Sequence, residues 1–443
     1  MQRVLVANRG EIAVRVIRAC RELGLGAVAV HSTADEDALH VRLADESVCI
    51  GPPHARDSYL NGQALLAAAK QAGADAVHPG YGFLAENAGF AAACEEAGLV
   101  WIGPAPAVIE EMGDKAMARR LAGQAGVPTV PGTDGVVSAE GALAVARELG
   151  FPVMVKAAAG GGGRGIRTAG SEEELAAVLT DAQREADAAF GDGSVYLEKL
   201  LVGARHVEVQ VLGDTRGNVI HLFERECSLQ RRRQKLFEES PSPALDDETR
   251  EAITGAAVRL ARAVGYTSAG TLEFLLDASG AFHFIEMNTR IQVEHPVTEA
   301  VTGVDLVKEQ LRVAAGEALS VAQEDVRLDG AAIELRINAE DPEQMFLPSP
   351  GEITALELPG GPGVRVDTAA YAGWRVPPFY DSLVAKLIVW GRDRDEAMAR
   401  GRRALGELRV EGIKTTAPFH LGLLDDPDVR AGRYDVEFLE RRG

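Results

Sequence analysis

The chain of 443 residues carries 46 Lys and Arg against 66 Asp and Glu, a net charge of −20, and 46% of it is hydrophobic. A surface of that sign repels a phosphate backbone, which argues against nucleic acid as a partner, and any anionic substrate needs a local basic pocket. Charges interrupt every apolar run before about 18 residues, and "MQRVLVANRG" enters a strand rather than a secretory signal, so no membrane span is expected and a cytoplasmic location is.

Length alone implies about two to four domains. "RVLVA" at 3–7 is a short apolar strand. "EIAVRVIRACREL" follows as an amphipathic helix, with Ala13, Val16, Ile17 and Cys20 on one stripe and Glu11, Arg15, Arg18 and Glu22 on another. "AVAVH", "DAVHPG" and "LVWIG" repeat the strand pattern between alanine-rich helices. Apolar strands alternating with helices predict an α/β domain with a parallel, Rossmann-like sheet over residues 1–113. The four cysteines, Cys20, Cys49, Cys94 and Cys227, fit no zinc or redox spacing and read as small buried or half-buried apolar residues.

A helix at 113–126 is closed by glycine and Pro128. A small module at about 130–201 contains the strand "FPVMVKAAA", a glycine run, the return strand "GIRTAG" and a helix with a capping box of Ser171 and Glu174. Long strands follow. In "RHVEVQVLGD", Val207, Val209 and Val211 face one way and His206, Glu208 and Gln210 the other. "GTLEFLLDASGAFHFIEMN" reads as a hairpin, and a helix follows Pro296. The central domain is placed at 114–310, and a mixed α+β domain at 330–443.

"KAAAGGGGRGIRT" invites a phosphate. A Rossmann loop would open a helix, but here a strand follows, and no Gly-Lys-Ser/Thr occurs. A flexible hairpin whose N–H groups close over phosphates fits better, with Lys156 and Arg164 as flanking cations; a plain surface turn is the alternative. Glu273 and Glu286 fall on opposite strands of the hairpin at similar heights, and Asn288 shares a face with Glu286. Two carboxylates and an amide oxygen suit magnesium, or else form a solvated strand face. "QRRRQK" at 230–235 concentrates positive charge, and "NTRIQVEHP" places Arg290 and Glu294 beyond the metal strand, so together they suggest a pocket for a small anion. A solvated charge run and an ordinary helix-capping loop are the alternatives.

Nearly end to end, the chain resembles biotin carboxylase, the ATP-grasp component of biotin-dependent carboxylases. "HPGYGFLAEN" and "EMNTRIQVEHPVTE" carry the resemblance most specifically, with "MGDKAMAR", "KAAAGGGGRGIR", "EKLLVGARHVEVQV", "ERECSLQRRRQK" and "INAEDPEQMFLPSPG". The resemblance implies a biotin carboxylase N-terminal domain, a central ATP-grasp domain whose glycine-loop module is a mobile lid, and a C-terminal domain. It implies that bicarbonate is joined to a biotin ureido nitrogen through carboxyphosphate while ATP is cleaved to ADP and phosphate.

By motif, it assigns Lys115 and Lys156 to the ATP phosphates, with the loop Gly160, Gly161, Gly162, Gly163, Arg164 and Gly165 closing over them. Glu198 and Lys199 would meet the adenine edge, and His206 and Gln230 the nucleotide. Glu273, Glu286 and Asn288 would hold two magnesium or manganese ions. Lys235, Arg290, Gln292 and the Val293 backbone would bind bicarbonate, with Glu294 as general base. Arg336 would stabilise the biotin enolate, with Tyr81 beside the ring.

The sequence departs from the pattern at Arg233, where the family often has histidine, and in "LFEESPSP". No Met-Lys-Met biotin-attachment motif occurs, so a separate biotin carboxyl carrier protein and a separate carboxyltransferase are expected, as is a homodimer. The implied setting is an acetyl-CoA or propionyl-CoA carboxylase supplying fatty acid synthesis. The alternatives are another ATP-grasp carboxylate–amine ligase and a non-catalytic ATP-binding subunit.

Overall fold

The protein is described by a computed structural model covering residues 1–133, 135–157 and 166–442. The expected glycine loop, Gly160 to Gly165 with Arg164, lies outside the described residues.

The N-terminal strands are β1 (Arg3–Val6), β2 (Gly26–Ser32), β3 (Glu46–Gly51), β4 (Ala76–His78) and β5 (Val100–Trp101). They form one parallel sheet in the order β3-β2-β1-β4-β5. Four of them coincide with apolar runs. The fifth, β3, "ESVCIG", is not marked by such a run, because it is an edge strand with only Val48 and Ile50 buried. That alternation turns Cys49 outward, so it is exposed, while Cys20, Cys94 and Cys227 are buried. The first helix, Gly10–Glu22, buries Ala13, Val16, Ile17 and Cys20 as its stripe requires. Its polar stripe departs from expectation. Glu11 and Arg15 are buried too, because distant parts of the chain cover that face and supply Lys386, Glu299 and Asp305 as ionic partners.

Strands β6 (Val153–Ala157), β7 (Ile166–Ala169) and β8 (Val195–Lys199) make a small antiparallel sheet in the order β7-β6-β8. The helix Glu172–Phe190 covers it, packing Leu175 and Leu179 onto Val153, Val155 and Leu197. Ser171 is this helix's N-cap but makes no side-chain cap bond, and Glu174 accepts from the Gly170 N–H at 2.7 Å rather than from the N-cap N–H, so the expected capping box does not form.

The remaining long strands are β9 (Arg205–Gly213), β10 (Val219–Arg231), β11 (Gln234–Ser240), β12 (Ser268–Leu276), β13 (Phe282–Asn288), β14 (Ala331–Asn338), β15 (Val364–Thr368) and β16 (Leu383–Gly391). They form one antiparallel eight-stranded sheet in the order β13-β12-β9-β10-β11-β14-β16-β15. The sheet therefore runs without a break past position 330. The helix Asp247–Ala263 packs Ile253, Ala257 and Leu260 against Val207, Val209 and Leu272. The helix Arg394–Glu407 covers Leu335, Leu387 and Val389. A third cluster joins Val4 and Ile17 of the N-terminal unit to Leu212, Ile220 and Ile291.

Phe274 is fully buried and meets Phe282 and Phe284 edge-on, with ring centroids 5.7 and 6.0 Å away. Phe274→Ala is expected to cost about 3–5 kcal/mol, read as a lower urea midpoint at unchanged slope.

Candidate active site

The site is built on one face of the large sheet. Directly opposed residues on antiparallel strands share a face. The register sets Arg225 (β10) opposite Glu208 (β9), Glu208 opposite Glu273 (β12), and Glu273 opposite Glu286 (β13). Gln230 faces Lys235 across the β10–β11 hairpin. Its turn is Arg232 and Arg233, at φ +49° and +66°, the two left-handed residues that a tight hairpin requires. The basic run is thus divided: Gln230 and Lys235 point into the site, and Arg232 and Arg233 form the exposed turn.

Lys235 is the centre. Its Nζ lies 2.5 Å from Glu208, 3.0 Å from Glu273, 3.2 Å from Gln292 and 2.7 Å from Glu294. An ammonium has only three protons, so at least one is shared among these oxygens. Burial works against its charge, but Glu208, Glu273 and Glu294 outweigh burial and raise its pKa well above the ordinary value. Glu294 is 1% exposed, and its second oxygen accepts from Arg336 Nη2 at 2.9 Å. Burial alone would raise the Glu294 pKa; Lys235, Arg336 and Arg225 reverse that and hold the carboxyl well below its usual range.

Around this core, the other expected residues fall into three groups. Glu273 also accepts from Asn288 at 2.9 Å and Gln292 at 3.1 Å, and it lies 3.0 Å from His206 Nε2. His206 Nδ1 meets Gln230 Nε2 at 3.1 Å. Arg290 bonds Asn288 Oδ1 and Glu86, both at 2.9 Å. Across the β12–β13 hairpin from Glu273, Lys115 Nζ is 3.6 Å from Glu286, and Lys156 donates to Glu198, which also accepts from Arg119 at 2.8 Å. Lys199 is turned to the carbonyls of Gly150 and Phe151, at 2.8 and 3.1 Å. Tyr81 donates its hydroxyl proton to Glu11, and the Val293 carbonyl accepts from Lys386 at 2.8 Å.

Four further residues of the site are assigned no role in the sequence, although Glu86, Arg119 and Glu208 lie within stretches that carry the resemblance. Glu208, 0% exposed, joins Lys235 to the fully buried Arg225. Glu238 holds Arg336 through Nε at 2.5 Å. Glu86 fixes Arg290, and Arg119 fixes Glu198. For Glu208 the one signal is a polar residue at alternate positions of "HVEVQV", and Glu238 stands beside Glu239 in "LFEES", where no alternation marks it. The donor set fits a hard divalent cation. Glu273 and Glu286 oppose each other across the hairpin, the Asn288 amide beside them gives its nitrogen to Glu273 and its oxygen to Arg290, and each carboxylate has a lysine near its oxygens.

Known proteins match this architecture throughout. Residues 1–109 match the family described as "Biotin carboxylase, N-terminal domain". Residues 114–322 match "Carbamoyl-phosphate synthase L chain, ATP binding domain", and 334–441 match "Biotin carboxylase C-terminal domain". Biotin carboxylase 1 of Bacillus subtilis is 58% identical over 442 residues, covering 99% of this chain and 98% of that one. A pyruvate carboxylase subunit of Methanothermobacter thermautotrophicus is 54% identical, covering 100% and 90%. Among solved structures, the Campylobacter jejuni biotin carboxylase–β,γ-ATP complex superposes with a TM-score of 0.97 at 48% identity, covering 99% and 98%. The biotin carboxylase domain dimer of Hydrogenobacter thermophilus 2-oxoglutarate carboxylase, solved with MgADP, ADP and bicarbonate, has a TM-score of 0.96 at 52% identity, covering 100% and 97%. The fold is that of an ATP-dependent carboxylase with an ATP-grasp core. The chain belongs to the biotin carboxylase family.

Burial pushes the Glu238 carboxyl up to about 7, against the pull of Arg336. An unfolded Glu titrates near ~4.3, so between the two values the folded protein keeps a proton that the unfolded chain has lost. Stability from this group is therefore full at low pH and is lost as pH rises through about 7. The Tm of Glu238→Gln is expected to fall less than that of the wild type between pH 5 and 8, by calorimetry.

Proposed function

We propose that this protein carboxylates biotin, presented by a separate carrier protein, with bicarbonate and ATP, and that the residues gathered around Lys235 carry out the reaction. The observation that carries this reading is the position of Glu294, a buried carboxylate held between Lys235 and Arg336. Bicarbonate is a weak nucleophile, and a positioned base raises the population of its reactive dianion. Lys235, Arg290, Gln292 and the Val293 backbone bind the anion, and Glu294 takes its proton. The bicarbonate oxygen then attacks the γ-phosphorus of ATP, the bond to ADP breaks, and carboxyphosphate forms. Lys115, Lys156, His206 and Gln230 position the nucleotide, with Glu198 and Lys199 at the adenine end. Glu273, Glu286 and Asn288 would hold two divalent ions, magnesium or manganese, which would supply charge neutralisation for phosphoryl transfer.

Carboxyphosphate decomposes to CO2 and phosphate. The phosphate removes the ureido proton of biotin, and the nitrogen attacks CO2. Arg336 balances the negative charge on the biotin oxygen, with Tyr81 beside the ring. Once Glu294 is protonated, its hold on Arg336 weakens and the guanidinium can turn to biotin. Water would destroy carboxyphosphate, so the module at 130–201 is assigned the role of a lid, with Gly160 to Gly165 closing over the phosphates.

The unit boundaries 1–113, 114–310 and 330–443 belong to the same reading, supported by family matches at 1–109, 114–322 and 334–441. So do a homodimer, supported by the dimeric Hydrogenobacter domain, and a separate carboxyltransferase acting on acetyl-CoA or propionyl-CoA to supply malonyl-CoA for fatty acid synthesis. Relatives named for pyruvate and 2-oxoglutarate carboxylases share over half of this sequence, so the final acceptor is chosen by that partner. A cytoplasmic location is supported by the same composition, and no helix among the described residues is long and apolar enough to cross a membrane.

ADP release with ATP, magnesium and bicarbonate is expected to rise when free biotin is added. Glu294→Gln is expected to lower the bicarbonate-dependent rate by about 10²–10⁴-fold. Release indifferent to biotin and bicarbonate would point instead to another ATP-grasp ligase.

A further inference from the structure

Lys386, on β16, has no part in this scheme, yet it is a fully buried cation beside the site. The register sets it opposite Arg336 on one side and Asp367 on the other. Its Nζ donates to the Val293 carbonyl at 2.8 Å and lies 3.2 Å from Glu11 Oε2. Glu11 in turn accepts the Tyr81 hydroxyl proton. Burying an ammonium is costly, and an apolar side chain of the same length would fill the space without that cost. Burial opposes the charge, but Glu11, Glu334 and Asp367 outweigh it and keep Lys386 cationic.

The peptide geometry shows what the charge achieves. In a trans peptide, C=O and N–H point in opposite directions, so fixing the oxygen fixes the N–H. The Gln292 oxygen is held by His295 Nδ1 at 2.6 Å, and the Val293 oxygen by Lys386. The N–H groups across those two peptides belong to Val293 and Glu294. Neither has a hydrogen-bond partner among the described residues.

We propose that Lys386 is a positioning residue for bicarbonate: through the Val293 carbonyl it aims the Glu294 N–H at the anion, beside the Val293 N–H that His295 sets through the Gln292 oxygen, and it fixes the place of the Glu294 carboxylate. This rests on the reading of that pocket as the bicarbonate site. Glu11, from the first helix, supplies the charge that keeps Lys386 in place, so the N- and C-terminal parts of the chain meet on one peptide of the loop between them.

Lys386→Met keeps the length of the side chain and removes the charge. Lys386→Met/Glu11→Gln also removes the carboxylate that the single variant leaves buried and unpaired. Steady-state rates would be measured with ATP, magnesium and free biotin, varying bicarbonate and ATP in turn. The KM for bicarbonate is expected to rise about ten- to a hundredfold, the scale of one charge-assisted hydrogen bond, with the KM for ATP moving less than about twofold. An unchanged bicarbonate KM in the folded variant, or equal rises for both substrates, would overturn the proposal and leave Lys386 a structural cation. Glu294→Gln run alongside separates the two levels. Bicarbonate-dependent ATP cleavage that survives in Glu294→Gln sinks the pocket reading and the proposal with it. Cleavage lost there, with the bicarbonate KM unmoved in the Lys386 variants, sinks only the role of Lys386.

Discussion

A single half-buried ammonium holds the centre of this protein together. Lys235 serves Glu208, Glu273, Gln292 and Glu294 at once, and without it three carboxylates would share a dry pocket with too little positive charge. Glu208 passes the constraint on to Arg225, which also bonds Gln210, Thr271 and Thr298 and so ties three strands to the helix His295–Thr302. Losing one member of such a set leaves a buried charge uncompensated, which typically costs about 3–5 kcal/mol.

The same arrangement governs how ligands enter. The carboxylates suited to a divalent ion are already covered by lysines, Glu273 by Lys235 and, more loosely, Glu286 by Lys115. Arg290 and Lys156 are likewise engaged, by Glu86 and Glu198. On the proposed function, ion and nucleotide binding at these groups would be an exchange of partners rather than an addition of charge, which limits the desolvation cost.

Continuity of the large sheet makes this possible. Neighbouring strands β12, β9, β10, β11 and β14 each contribute a charged residue, from Glu273 through Glu208, Arg225 and Lys235 to Arg336. Arg336 belongs to the C-terminal part of the sequence, yet it reaches Glu294 because β14 is hydrogen-bonded to β11. The shape of the site follows from strand order and register, which hold side chains more tightly than loops would.

Much of this is legible in the sequence. Glu273 and Glu286 can be paired because a short hairpin fixes register locally, and Lys235, Arg290, Glu294 and Arg336 stand in motifs that resemblance can assign. Glu208 does not stand out, since a strand alternating polar residues and valine reads equally as a solvent face or as the wall of a buried polar site, and Glu238 stands in "LFEES" beside a second glutamate with no pattern to mark it. Glu11 and Arg15 read as the wet stripe of an amphipathic helix, and their partners Lys386 and Glu299 lie hundreds of residues away. Local periodicity determines which side chains share a face, and the motifs determine the chemistry available. Only the tertiary structure decides what covers each face, because burial and ion pairing depend on segments that the chain brings together solely by folding.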